Sequence, residues 1–185
     1  MNALDCCYRP GLTADVSGTP LGDLIEHILR QHHTYCRQEL PKLNRIALRY
    51  EAVLPRKSRL VADLRAVLAA LTEELTQHMH KEERVLFPWI RQLETSADTG
   101  AAQCATIAAP IRVMEHEHDI ANIAILRMRF LTNDFTPTDD RSPLYRTLLA
   151  GLTALETDLH QHIHEENEIL FPRALALESA ISSHA

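Results

Sequence analysis

Two stretches of this chain carry nearly the same chemistry: HMHKEERVLFP at 78–88 and HIHEENEILFP at 162–172. In each, a histidine is followed four residues later by a glutamate, and then by Leu-Phe-Pro. Residues four apart on a helix lie about 6 Å along its axis and on one face, so His78 with Glu82, and His162 with Glu166, can reach a common centre. Two more histidines, His33 and His118, stand upstream of the two stretches and repeat with them, apart from a one-residue slip. The chemistry on offer is cation binding. Imidazole mixed with carboxylate favours iron and leaves manganese and zinc open.

Helices must position these side chains. The chain has 185 residues, 45% of them hydrophobic, with only 5 Gly. Leu/Ala/Glu/Arg-rich stretches with little glycine favour helix over sheet, and this length suits one domain with a substantial core. Thr19-Pro20-Leu21 opens a first helix over about 20–52, with Pro41 as a candidate bend. Pro55 separates it from a second over about 57–93, and Ser96–Gln103 reads as a linker. A third helix covers about 105–133; after the loop at Thr136–Asp140, Ser142-Pro143 starts a fourth over about 142–178. Four long helices with short connections predict an all-α, antiparallel up-down-up-down four-helix bundle. The bundle is expected over 19–178, between a short N-terminal tail at 1–18 and a C-terminal tail at 179–185.

At about 100° per residue, the apolar stripe of each helix shows which polar residues face inward. Leu64, Leu68, Leu71, Leu75, Val85 and Leu86 share a face with His78 and Glu82, while His80 points away. Leu148, Leu152, Leu155, Leu159, Ile169 and Leu170 share one with His162 and Glu166, and His160 and His164 lie off it. Ile107, Ile111, Met114, Ala121 and Ile125 set a face that contains His118, with His116 behind. On the first helix, His32 and His33 flank the stripe of Ile25, Leu29, Cys36, Leu40, Leu43 and Ala47 almost equally. Periodicity does not choose between them. His27 faces out, and His184 sits in the tail.

A single inward histidine is commonly a hydrogen-bonded core residue. An inward carboxylate is rarer, because burying it unpaired costs several kcal/mol or shifts its pKa until it is neutral. Four inward His and two inward Glu with repeated spacing are satisfied together by one cation site. Six ligands exceed a structural zinc, which takes four, and suit a pair of ions about 3.5–4 Å apart with bridging carboxylates. The ferritin-like alternative needs two Glu-x-x-His motifs. Only Glu115-x-x-His118 has that spacing in a suitable place, and Glu115 falls at the edge of its stripe, in an outer or solvated position.

The formal charge is −6 with acids and bases interspersed and no Lys/Arg cluster, which argues against nucleic acid and anionic membranes as partners. The start, MNALDCCYRPGL, lacks the basic and apolar regions of a signal peptide, so a cytoplasmic location is expected. Cys6, Cys7, Cys36 and Cys104 would then be reduced.

The H…HxxxE…H…HxxxE pattern on four helices resembles the hemerythrin-like domain. PLGDLIEHILRQHH, HMHKEERVLFP, IRVMEHEHD and HIHEENEILFPRAL are similar, more narrowly, to the RIC family (repair of iron centres), over about residues 19–175. The resemblance implies a non-haem di-iron centre, oxo- or hydroxo-bridged, with His33, His78, His118 and His162 as terminal ligands and Glu82 and Glu166 as bridges. It thereby selects His33 over His32. It also implies a stress protein that repairs or protects iron–sulfur clusters damaged by nitric oxide or oxidants, through iron donation or nitric oxide binding, with damaged iron–sulfur proteins as clients. Family members often carry a separate N-terminal domain with a Cys-Cys motif. Here Cys6-Cys7 lies in a segment too short to fold, and two readings stand: a working remnant for metal or thiol exchange, or a reduced tail. Reduction of nitric oxide to nitrous oxide is the enzymatic alternative. A dioxygen-binding hemerythrin is a third, and it would need an additional ligand such as His32 or Glu115.

Overall fold

The computed structural model describes residues 18–54, 58–97, 106–137 and 142–183. Four helical rods form, and no strand occurs among the described residues. Rod α1 spans 21–53, α2 spans 59–97, α3 is Ala108–Leu131 and α4 spans 143–183. Ser58 and Ser142 cap α2 and α4, accepting from the backbone N–H of Val61 and Tyr145, and Pro143 occupies the first turn of α4. Helix α1 continues through Pro41. Helix α4 runs on to Ser183, past the expected boundary at 178, because Ala174–Ser183 contains no Gly or Pro to stop it. Cys6, Cys7, Cys104, His184 and most of the expected 96–103 linker lie outside the described residues.

The apolar core is divided in two. Leu24, Ile25 and Ile28 from the start of α1 pack with Leu86, Phe87 and Ile90 late in α2, Ile111 and Met114 early in α3, and Leu170, Phe171 and Ala174 late in α4. The second cluster joins the later part of α1 (Leu40, Leu43, Ala47) to the early part of α2 (Leu64, Leu68, Leu71), the end of α3 (Ile125, Met128) and the start of α4 (Leu148, Leu152, Leu155). Starts meeting ends in this way is the signature of an antiparallel up-down-up-down bundle. At Gly151 the α1–α4 approach is close: a Cβ there would lie 2.4 Å from Leu43 Cδ2. No helix of the described residues is long and apolar enough to cross a membrane.

Three rods are interrupted by a widened π turn: Leu29–His33 in α1, Glu82–Leu86 in α2 and Glu165–Leu170 in α4. In α2 and α4 the wide turn ends one residue before Phe87-Pro88 and Phe171-Pro172. A proline donates no bond to the carbonyl four residues back, so a ladder already shifted ahead of it accommodates the ring. In α1 the Thr34 hydroxyl donates to the Leu29 carbonyl at 3.0 Å and supports the wide turn from its far end. These turns correct the sequence reading in detail. Val85 was expected on the inward stripe and is 53% exposed, and Ile169 is only half-buried. A turn with more residues per revolution rotates them off the face that 100° steps assign, while Leu86 and Leu170 stay buried.

The duplication extends to helix starts. Helix α1 follows Pro20 and α3 follows Ile107, neither of which caps with its side chain. Instead Glu94, late in α2, accepts from the Leu21 and Gly22 N–H groups at 2.7 and 3.0 Å. Its repeat partner Glu178, late in α4, accepts from the Ile107 N–H at 2.8 Å and the Thr106 hydroxyl at 2.7 Å. Each helical hairpin thus ends by tying down its own beginning.

Candidate metal centre

Between the two apolar clusters lies a polar layer. His33, His78, Glu82, His118, His162 and Glu166, the six expected residues, all lie there, each no more than 2% exposed. Their donor atoms form two quartets: His33, His162, Glu82 and Glu166, and His78, His118 with the same two glutamates. Each carboxylate turns one oxygen to each quartet. Glu82 Oε2 lies 3.3 Å from His33 Nε2 and Oε1 lies 3.3 Å from His78 Nε2. Glu166 Oε1 lies 3.0 Å from His162 Nε2 and Oε2 lies 3.1 Å from His118 Nε2.

These contacts do not satisfy the groups as hydrogen bonds. All four carboxylate oxygens, and Nε2 of His33 and His162, lack a hydrogen-bond partner among the described residues. His78 Nε2 and His118 Nε2 face each other at 3.0 Å. Two ligand atoms about 2.1 Å from one ion and at right angles to each other stand about 3.0 Å apart, and a tetrahedral angle widens this to about 3.4 Å. The observed 3.0–3.3 Å separations fall in that window. The donor set therefore fits metal ions.

Electrostatics point the same way. Burial and the neighbouring Glu166 oppose ionisation of Glu82, yet His78 and His33 outweigh them and hold its pKa below the usual value. Burial also opposes ionisation of Glu166, and His162 and His118 hold it well below. Two buried carboxylates thus stay anionic in one layer because the imidazoles around them carry the balancing charge, a role that a bound cation would take over. Burial would lower the pKa of His78, but Glu82 and the other acids around it raise it to about 9.

Residues 24–174 match the hemerythrin HHE cation-binding domain. The chain belongs to that family. Its relatives include proteins named iron-sulfur cluster repair protein YtfE. One from Musicola paradisiaca is 41% identical over 160 residues, covering 86% of this chain and 68% of the relative. Others from Pectobacterium atrosepticum (40%) and Cronobacter sakazakii (41%) align over 167 residues, covering 90% of this chain and 72% of theirs.

Beyond its ligand pattern, this hemerythrin-family site has an outer ring that sequence reading missed. His33 Nδ1 meets Glu83 Oε1 at 2.7 Å, and Arg37 donates to the same oxygen. His78 Nδ1 meets Glu117 Oε2 at 3.0 Å, and Lys81 pairs with that carboxylate. His118 Nδ1 bonds Asn167 Oδ1 at 2.9 Å. Such partners fix the ring and leave Nε2 free for a metal. The repeated Leu-Phe-Pro finds its reason here, since Phe87 stacks on His33 and Phe171 on His118. Each ring holds the upstream histidine of its own half. Adjacency to a candidate ligand was the one available signal: Glu83, Glu117 and Asn167 directly neighbour Glu82, His118 and Glu166.

His32 is buried but belongs to neither quartet: its Nδ1 bonds Asp158 at 2.9 Å and its Nε2 faces Glu165. Glu115, His80, His116 and His160 are exposed, and His164, expected to look outward, is half-buried.

Proposed function

We propose that this chain holds two iron ions, one in each quartet, with Glu82 and Glu166 as bridges and His33, His78, His118 and His162 as terminal ligands. In this reading it repairs or protects iron–sulfur clusters damaged by nitrosative or oxidative stress, with damaged iron–sulfur proteins as clients. The observation that carries the reading is the sharing of both buried carboxylates between two histidine pairs. The naming of its relatives as iron–sulfur cluster repair proteins supports the task. A ferrous pair held there would supply releasable iron and open coordination positions for a small ligand.

The protein's own residues have separable parts. Glu82 and Glu166 set the charge and the spacing of the quartets. Glu83, Glu117 and Asn167 orient three imidazoles through Nδ1, so that each presents a lone pair at Nε2. Terminal ligation by neutral imidazole neutralises less of the ion's charge than thiolate would and so holds it less tightly, which suits release. Leu40, Leu71 and Leu152 on one side and Ile28, Phe87 and Phe171 on the other keep water from the layer.

A second reading, nitric oxide binding, is favoured by a cavity of about 140 Å³ between α2 and α3. Leu75, Ile120 and Ala121 give it an apolar wall, and His78, Glu117, Lys81, Glu74 and Gln77 complete its lining. A small neutral gas suits such a wall better than an ion does.

Metal analysis with Mössbauer spectroscopy tests the centre: two spin-coupled irons per chain are expected, and one or none overturns it. The task is tested by mixing the anaerobic ferrous protein with an apo-ferredoxin, sulfide and reductant. Cluster assembly faster than with free chelated iron is expected, and equal rates count against donation. Gas chromatography for nitrous oxide under multiple turnover separates reduction of nitric oxide from its capture.

A further inference from the structure

A third group of potential ligands stands against the outer side of the first quartet. His27 Nε2 and His32 Nε2 both lie 3.5 Å from Glu165 Oε2, and the three side chains converge within the reach of one ion. None of them belongs to the six. His32 is 3% exposed and Glu165 8%, while the His27 side chain is half exposed and opens the group to solvent.

Three features mark it as a built site. First, His32 Nδ1 meets Asp158 Oδ1 at 2.9 Å, the carboxylate support that His33 and His78 receive, which leaves Nε2 as the outward lone pair. Second, His32 Nε2 and Glu165 Oε2 are buried without a hydrogen-bond partner among the described residues. A proton on Nε2 would give only a long ion pair with Oε2 at 3.5 Å, without a hydrogen bond, whereas a cation between them gives both atoms a direct partner. Third, Gln161 donates to Glu165 Oε1 at 2.8 Å and so turns Oε2 toward the histidines.

The backbone was shaped for this convergence. Five residues apart on an α-helix, His27 and His32 would diverge by about 140°. The wide turn Leu29–His33 lies between them and reduces that angle. The wide turn of α4 likewise carries Glu165 and Glu166 in succession, one for each group.

We propose that His27, His32 and Glu165 form a solvent-facing site for a divalent metal ion through which iron passes to and from the buried centre. Its position supports transit. His32 stacks flat on His162 of the first quartet, with ring centroids 5.2 Å apart and planes within 3°. His32 and Glu165 each directly precede a member of that quartet, His33 and Glu166. Two histidines, one carboxylate and open coordination positions make a weaker site than the centre, as an exchange site requires. The transit role rests on the proposed di-iron centre; metal binding at the outer site does not.

The test uses the full chain, loaded with iron, dialysed, its iron content measured, and then titrated with Co2+ by equilibrium dialysis. One further equivalent is expected to bind. His27→Ala, at an exposed position, should weaken it at least about tenfold with the inner iron content unchanged. Glu165→Gln, which keeps the shape and the Gln161 contact, should do the same. No further equivalent, or one that both variants leave unaltered, overturns the site. Release of iron to an external ferrous chelator should slow several-fold in both variants, and rates equal to the parent overturn the transit role. A chain that binds this Co2+ equivalent but never holds inner iron would sink the proposed centre and leave the outer site standing.

Discussion

The two quartets share both carboxylates but differ in what stands behind their histidines. In the second, His78 is backed by Glu117 and His118 by Asn167. In the first, His33 is backed by Glu83, while His162 Nδ1 has no hydrogen-bond partner among the described residues. The duplication makes the difference sharper. Counting by repeat, Asn167 occupies the place of Glu83, and His32 occupies the place of Glu117. Where the second quartet has an acid hydrogen-bonded to one of its histidines, the first has an imidazole lying parallel to one of its own. The repeat keeps the quartet residues, and the ring around them differs between the halves. The second quartet is thereby the more firmly oriented, and the first lies against a group open to solvent.

The largest effect should come from breaking what the quartets share. Glu82→Ala or Glu166→Ala removes an oxygen from both, and metal content by plasma mass spectrometry should fall from two ions per chain toward none. Retention of one tightly held ion would show that the quartets load independently. Next, Glu117→Ala should weaken the second quartet about 10–100-fold, the usual scale for an outer partner, and Glu83→Ala should do so to the first. Competition against a chelator of known affinity reads both, and equal losses at both ions in either variant would erase the distinction.

A smaller effect is set by pH. With its pKa raised to about 9, His78 is protonated at neutral pH in the metal-free chain, and an ion must displace that proton. Affinity at the second quartet should therefore rise about tenfold per pH unit up to about pH 9 and then level off. For metal-free stability the sign reverses. The contribution of His78 is full below about 6.5 and is lost as pH rises through about 9. Chelator competition at several pH values and thermal melts of the metal-free chain check the two trends. Smallest for the quartets is Gly151→Ala. Its Cβ meets Leu43 in the distant apolar cluster, so stability should fall by about 1–3 kcal/mol with metal occupancy unchanged. A loss of either ion would show that the apolar end and the polar layer are coupled.

The bundle and five of the six central residues were legible because polar groups on an apolar stripe conflict with packing, and the conflict recurs twice. His33 was not separable from His32 by periodicity. The wide turn at Leu29–His33 removes the constant angle on which periodicity depends, and both rings are buried, each on a different job. The same cause put Val85 on the wrong face. His27 was read as outward and is exposed, but its neighbours across the bundle give it company that no single helix reveals. Glu83, Glu117, Asn167, Glu94 and Glu178 stayed hidden for a related reason. Their partners lie on another helix, and a carboxylate at the margin of a stripe looks the same whether it meets water or a neighbouring ring.

Each quartet draws one histidine from α1–α2 and one from α3–α4, with an oxygen from a glutamate of each half. The caps at Glu94 and Glu178, by contrast, stay within their own hairpins. Neither hairpin owns a complete quartet, so in the proposed centre each bound ion would act as a rivet across the seam between them. A molecule nicked between α2 and α3 should keep its shared apolar clusters and lose more melting temperature on stripping of the metal than the intact chain does.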